Sequence, residues 1–189
     1  PYTTLFRSAQ RKHFPSVSWL ISYSKYDDVL RPFFVGLDPD FPTLRTEVRQ
    51  LLQEEQELQE IVQLVGKDSL AEPDKLTLED ARMIREDFLQ QNSYTPYDKV
   101  SPIWKTFWML KNFLHFYDLA KHELNETNNS EKHVTYESIA SFMAPQIQKL
   151  IQMKFIDPND GEEVCKKQYS QLYNELEDRK STRLNSSHE

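Results

Sequence analysis

Residues 60–98 read EIVQLVGKDSLAEPDKLTLEDARMIREDFLQQNSYTPYD. An apolar helix stops at Gly66, an acidic loop follows, and a second helix closes on a polar-aromatic tail, FLQQNSY. Upstream, Leu44, Val48, Leu51, Leu52, Leu58, Ile61, Val62 and Val65 recur at helical spacing, and Gly66 is well placed to end that helix. Glu54, Glu55, Glu57 and Glu60 form its expected solvated face. The second helix is predicted to begin near Thr77, whose hydroxyl would cap free amides with Asp80 three residues on. Leu78, Ala81, Ile84, Phe88 and Leu89 would be its buried stripe.

Downstream, Ser101-Pro102 is a cap followed by a proline at the first helical position. The helix it opens would bury Ile103, Phe107, Leu110, Leu114 and Tyr117. The polar run 125–132 is expected to be a loop or hinge. A fourth helix over 135–153 carries Ile139, Phe142, Met143, Ile147, Leu150 and Ile151, with Pro145 placed to kink or split it. A turn at 157–161 (DPNDG) precedes a last helix marked by Val164, Gln168, Leu172 and Leu176. With no internal repeat and no alternating strand pattern, the expected class is an all-α bundle over residues 36–177. Residues 9–35 are apolar, aromatic and proline-interrupted, and read as a short extended strand-to-loop remnant of a preceding domain.

Composition narrows the function. A net charge of −7 without a basic stripe argues against nucleic acid, which needs clustered Lys and Arg. No apolar run approaches the roughly 20 residues of a membrane helix. The single cysteine, Cys165, allows no internal disulfide and fits a reducing compartment. Three glycines against ten prolines suit helices punctuated by proline. Residues 1–8 (PYTTLFRS) and 178–189 are read as translated sequencing adapters rather than native protein, which makes 9–177 a fragment of a longer gene.

The stretch 60–98 resembles the C-terminal domain of the catalytic A subunits of vacuolar-type proton-pumping ATPases, and more distantly the beta subunits of ATP synthases. KTFWMLKNFLHFYDLAKH at 105–122 parallels the family run KTVGMLxNMIAFYDMARH, and His13-Phe14-Pro15-Ser16-Val17 parallels its FPSVxW segment. Residues 27–42 and 100–104 depart from the family pattern. The resemblance implies a preceding α/β nucleotide-binding domain that ends within 9–35. It makes Phe14 the floor of an adenine pocket, with Pro15 holding the turn, and Tyr94 the ring on the other side, with Gln91 and Asn92 near the rim. A flat ring can bind a base face without reading its edge. Taken without the resemblance, Phe14 and Tyr94 would read as ordinary packing aromatics.

The resemblance also points the loop 67–75 at a central stalk. Asp68, Glu72 and Asp74 would suit a basic partner surface, and Leu70 would be an apolar contact. It implies ATP with Mg2+ in the intact protein, alternating B subunits and a central stalk as partners, and a peripheral place on the cytoplasmic side of an endomembrane. No catalytic residue is expected here, since the phosphate loop, metal-binding Asp and Arg finger lie N-terminal to residue 9 in that family. The competing expectation is a non-enzymatic helical scaffold that binds a partner through its Glu-rich face. His115 and His122, seven apart, lack a third ligand and read as helical polar residues rather than a metal site. Cys165 reads as structural.

Overall fold

The computed structural model describes residues 17–19, 21–127 and 134–186. Its elements are α1 (Asp27–Leu37), α2 (Phe41–Val65), a 3-10 turn (Lys67–Ser69), α3 (Glu72–Met83) continued by a π-helical segment (Ile84–Leu89), α4 (Pro96–Lys99), α5 (Ile103–Thr127), α6 (Tyr136–Phe142), α7 (Ala144–Gln152), two further 3-10 turns (Met153–Phe155 and Pro158–Asp160) and α8 (Glu162–Ser186). No strand occurs among the described residues. The chain is an all-α bundle.

α5 is the axis. It packs against α2, α3, α6, α7 and α8, and its most extensive contact is with α8. Phe107, Leu110, Leu114 and Tyr117 are buried as their spacing predicts, together with Met109, Phe113, Phe116, Ala120 and Leu124; Ile103 is half-buried. With so many directions buried, α5 behaves as a core helix, apolar on several sides. Around it close Val48, Leu51 and Leu52 of α2, Leu76, Ala81 and Ile84 of α3, Leu150 of α7, and Tyr169, Leu172 and Leu176 of α8.

Several expectations are corrected. Helix α3 begins at Glu72, because Pro73 fixes its first turn and acidic Glu72 and Asp74 sit at its N-terminus. Thr77 lies one turn inside, buried, donating to Pro73 O at 3.1 Å. Leu78 is half-buried; the inward positions are Leu76, Thr77, Asp80, Ala81 and Met83. Glu55 is buried rather than solvated, paired with the Arg85 guanidinium and accepting from Gln59 Nε2 at 2.6 Å.

The last helix has the other phase. Cys165 and Tyr169 are buried while Val164 and Gln168 are exposed. Asn125, Glu126 and Thr127, expected in a loop, are the final turn of α5. Residues 27–35 are helical instead of extended. Pro32 sits inside α1, whose residues are all at least partly exposed. Pro145 does split the fourth helix: α6 ends at Phe142 and α7 begins at Ala144, with Met143 between them.

Candidate functional site

The tail that follows α3 is prepared by a widened turn. Over Ile84–Leu89 the helix passes to π geometry, and Gln90 N–H closes it on Arg85 O at 3.0 Å, five residues back. Single π turns inside α-helices are frequent at functional positions. The chain then runs extended through Gln90 and turns at Asn92, whose Oδ1 accepts from Tyr94 N–H at 3.0 Å. Thr95 Oγ1 donates to Asn92 O at 3.1 Å. The turn leaves the Tyr94 ring 95% exposed, Gln91 half-buried and Asn92 exposed. Phe14 and Pro15 lie outside the described residues.

Three charged side chains hold this loop. Asp98, buried, accepts from Asn92 N–H at 2.6 Å. Lys154 Nζ donates to Gln90 O at 2.6 Å and Glu86 O at 3.3 Å, and lies 3.7 Å from Asp98 Oδ2. Lys105, 1% exposed, spreads its ammonium protons over Tyr97 O at 2.8 Å, Lys154 O at 2.9 Å and Ile156 O at 2.8 Å. Burial pulls the Lys105 ammonium below the usual lysine range, and the negative charge of Asp98 opposes that shift. The Tyr97 ring also meets Phe155 edge-on, centroids 5.3 Å apart. Nothing in the sequence spacing marks Lys105, since a lysine in the first turn of a helix ordinarily reads as solvated.

At the opposite end of α3 lies the acidic turn. Gly66 ends α2 at φ +85°, a backbone conformation that favours glycine. Ser69 Oγ donates to Val65 O at 3.0 Å. Asp68 is exposed and Asp74 half-buried. Leu70 is largely buried at the end of the turn, 9% exposed. Glu72 is also engaged internally: it accepts from Tyr136 N–H at 2.6 Å and pairs with Lys75 at 2.7 Å. The hydrogen bond from Lys75 holds its carboxyl below the usual range. Lys67 pairs with Glu79 across the turn.

Beside the turn, Ile61, Leu64 and Val65 are exposed on the last stretch of α2. Ile61 and Val65 belong to the stripe that spacing alone predicts as buried. The buried positions of α2 end at Glu55, and the helix overhangs beyond it.

Among the described residues no three His, Cys, Asp or Glu side chains converge as metal ligands would. His115 stacks on Tyr173, centroids 3.9 Å apart, with its Nε2 3.1 Å from Glu177 Oε1, while His122 pairs with Glu126 at 3.4 Å. Cys165 is buried, and its thiol donates to Asp157 O at 3.4 Å. No described helix is long and apolar enough to cross a membrane.

Residues 33–134 match the family model of the C-terminal domain of V and A type ATP synthase. The chain belongs to this family. The catalytic A subunit (isoform 1) of the V-type proton ATPase of Drosophila melanogaster is 52% identical over 170 residues, covering 89% of this chain and 28% of its own length. The corresponding proteins of Arabidopsis thaliana and Caenorhabditis briggsae are 48% and 54% identical, covering 89% and 87% of this chain and 27% of each relative. The chain thus spans under a third of the curated relatives it matches. The family match takes in α2, α3 and α5, and so both ends of α3.

Proposed function

We propose that this chain is the lever region of a vacuolar-type ATPase catalytic A subunit, coupling ATP binding and hydrolysis to rotation of a central stalk and so to proton transport. The observation that carries the reading is that the loop of Tyr94 and the turn of Asp68 occupy opposite ends of one helix, residues 72–89. At 1.5 Å per residue that helix is about 27 Å long. A tilt set by nucleotide at one end reappears as displacement at the other.

In this reading Tyr94 and Phe14 stack on the two faces of adenine, with Pro15 and Gln91 shaping the pocket. Asp68 and Asp74, flanked by the overhanging Ile61, Leu64 and Val65, meet the stalk, and Glu72 and Leu70 hold the turn that presents them. Mg2+ with ATP, and the bond-breaking residues, belong to the remainder of a longer protein that alternates with B subunits on the cytoplasmic side of an endomembrane. Nucleotide does work only by binding one tilt of the lever better than the other.

The test is Tyr94→Ala in the complete protein. Stacking on a base contributes about 1–3 kcal/mol, so the KM for ATP should rise by roughly 5- to 100-fold with little change in folding. An unaltered KM would remove Tyr94 from the pocket. Separately, Asp68→Lys should lower protons moved per ATP while leaving nucleotide affinity intact.

A further inference from the structure

We infer that Lys105, Lys154 and Asp98 are positioning residues that clamp the Tyr94 loop onto the turn between α7 and α8. The inference rests on the reading that Tyr94 faces the nucleobase, and adds what sets that ring's place.

Tyr94, 95% exposed, cannot anchor its own loop. The anchoring is done at three points of the backbone: Gln90 O by Lys154, Asn92 N–H by Asp98, and Tyr97 O by Lys105. Lys105 then joins the loop to Lys154 O and Ile156 O, some fifty residues further along the chain. A buried ammonium is costly unless each proton finds an acceptor, and a Leu or Met would fill the same core position more cheaply. Three protons meeting three carbonyls from two separate segments is the arrangement that makes a lysine worth keeping there. The two lysines work in series, since Lys154 offers its carbonyl to Lys105 and its ammonium to Gln90. The place of the ring is thereby tied to the 3-10 turn Met153–Phe155 and to α8 behind it, although neither contributes a residue to the loop.

The experiment uses the complete protein in its assembled enzyme, with Lys105→Met and Lys154→Met. Two quantities are read: hydrogen exchange of the amides over 90–98, and the KM for ATP against kcat. Faster exchange, by about tenfold or more, is expected where clamped amides open. The KM for ATP should rise roughly tenfold as the stacking ring loses its place, with kcat held within about twofold. A merely structural role would lower enzyme yield and kcat without moving the KM.

Unchanged exchange in both variants overturns the clamp. Faster exchange with unchanged KM overturns the positioning role, and Tyr94→Ala then tells the cause. If that variant shifts the KM, the ring contacts the base without needing the clamp; if it does not, the nucleobase reading itself has failed. Should neither lysine variant assemble, Asp98→Ala and Asp98→Asn give the same decision. Asparagine keeps an oxygen for the Asn92 N–H and should recover most of the affinity lost in Asp98→Ala. Equal affinity in the two overturns the inference.

Discussion

Thr77 Oγ1 and Tyr117 Oη lie 3.1 Å apart, a buried hydroxyl pair joining α3 to α5 across 40 residues of sequence. Thr77 also donates to Pro73 O, and Lys121 Nζ reaches Tyr117 Oη at 3.2 Å. Each hydroxyl is thus part of a small network. Tyr117→Phe and Thr77→Val should each lower unfolding stability by about 1 kcal/mol. The double variant should lose less than the sum, because the second change removes a group already unpaired. Strict additivity in denaturant titrations would show that the two hydroxyls do not act together.

Glu55 and Arg85 form the second cross-helix tie, from α2 to the π segment. The carboxylate side chain is 7% exposed and the guanidinium 32%. Removing one partner of a fully buried pair costs about 3–5 kcal/mol, and partial exposure of the arginine reduces that here to about 2 kcal/mol for Arg85→Met. Glu55→Gln combined with Arg85→Met should be milder than Arg85→Met alone, since no unpaired charge is left behind. Chemical denaturation of the two variants decides the order.

Asp80 is fully buried, and among the described residues neither of its oxygens has a hydrogen-bond partner. Burial, and then the negative charge of Asp118, pushes its carboxyl well above the usual range; burial also raises Asp118 and Glu47. The folded chain therefore holds protons that the unfolded chain has released, and stability falls as pH rises from the ordinary carboxylate range through the folded-state values. Glu72 and Glu79 shift downward and act oppositely, at pH below the ordinary glutamate value. Melting temperature should be higher near about pH 5 than about pH 8, and Asp80→Asn should shrink that difference. An unchanged difference in the variant would clear Asp80 of the effect.

Gly66 ends α2 at φ +85° with open space where a Cβ would stand. Gly66→Ala should cost about 1–3 kcal/mol through backbone strain alone, without a clash, because φ +85° with ψ 158° is a region that essentially only glycine enters. A melting temperature equal to that of the parent would mean that the turn relaxes at no cost.

Where burial follows a regular stripe, the sequence was readable. Phe107, Leu110, Leu114 and Tyr117 are inward as spaced, Gly66 stops α2, and Pro145 breaks the fourth helix. Where burial depends on a distant partner, spacing is silent. Glu55 is inside because Arg85, 30 residues away, meets it; Lys105 is inside because three carbonyls converge on it. The phase of α8 was ambiguous for another reason: Leu172 and Leu176 fit either register, and the buried Tyr169, donating to Met153 O at 3.3 Å, selects the one with Cys165. Tyr94 was legible as a loop aromatic, but its nearly complete exposure follows from the Asn92 turn and the anchoring of Asp98.

The π segment Ile84–Leu89 has a consequence for how such a chain can change. A wide turn holds one residue more than ordinary helix, and each residue of ordinary helix advances the chain by about 100°. Deleting one position there would take the extra residue out of the wide turn, so the coil would return to regular winding with the downstream residues at nearly the same angle, whereas a deletion in the ordinary helix before it would swing them by about 100°. The wide turn is thus the one stretch of this rod that can shorten by a residue and still leave its far end facing the same way.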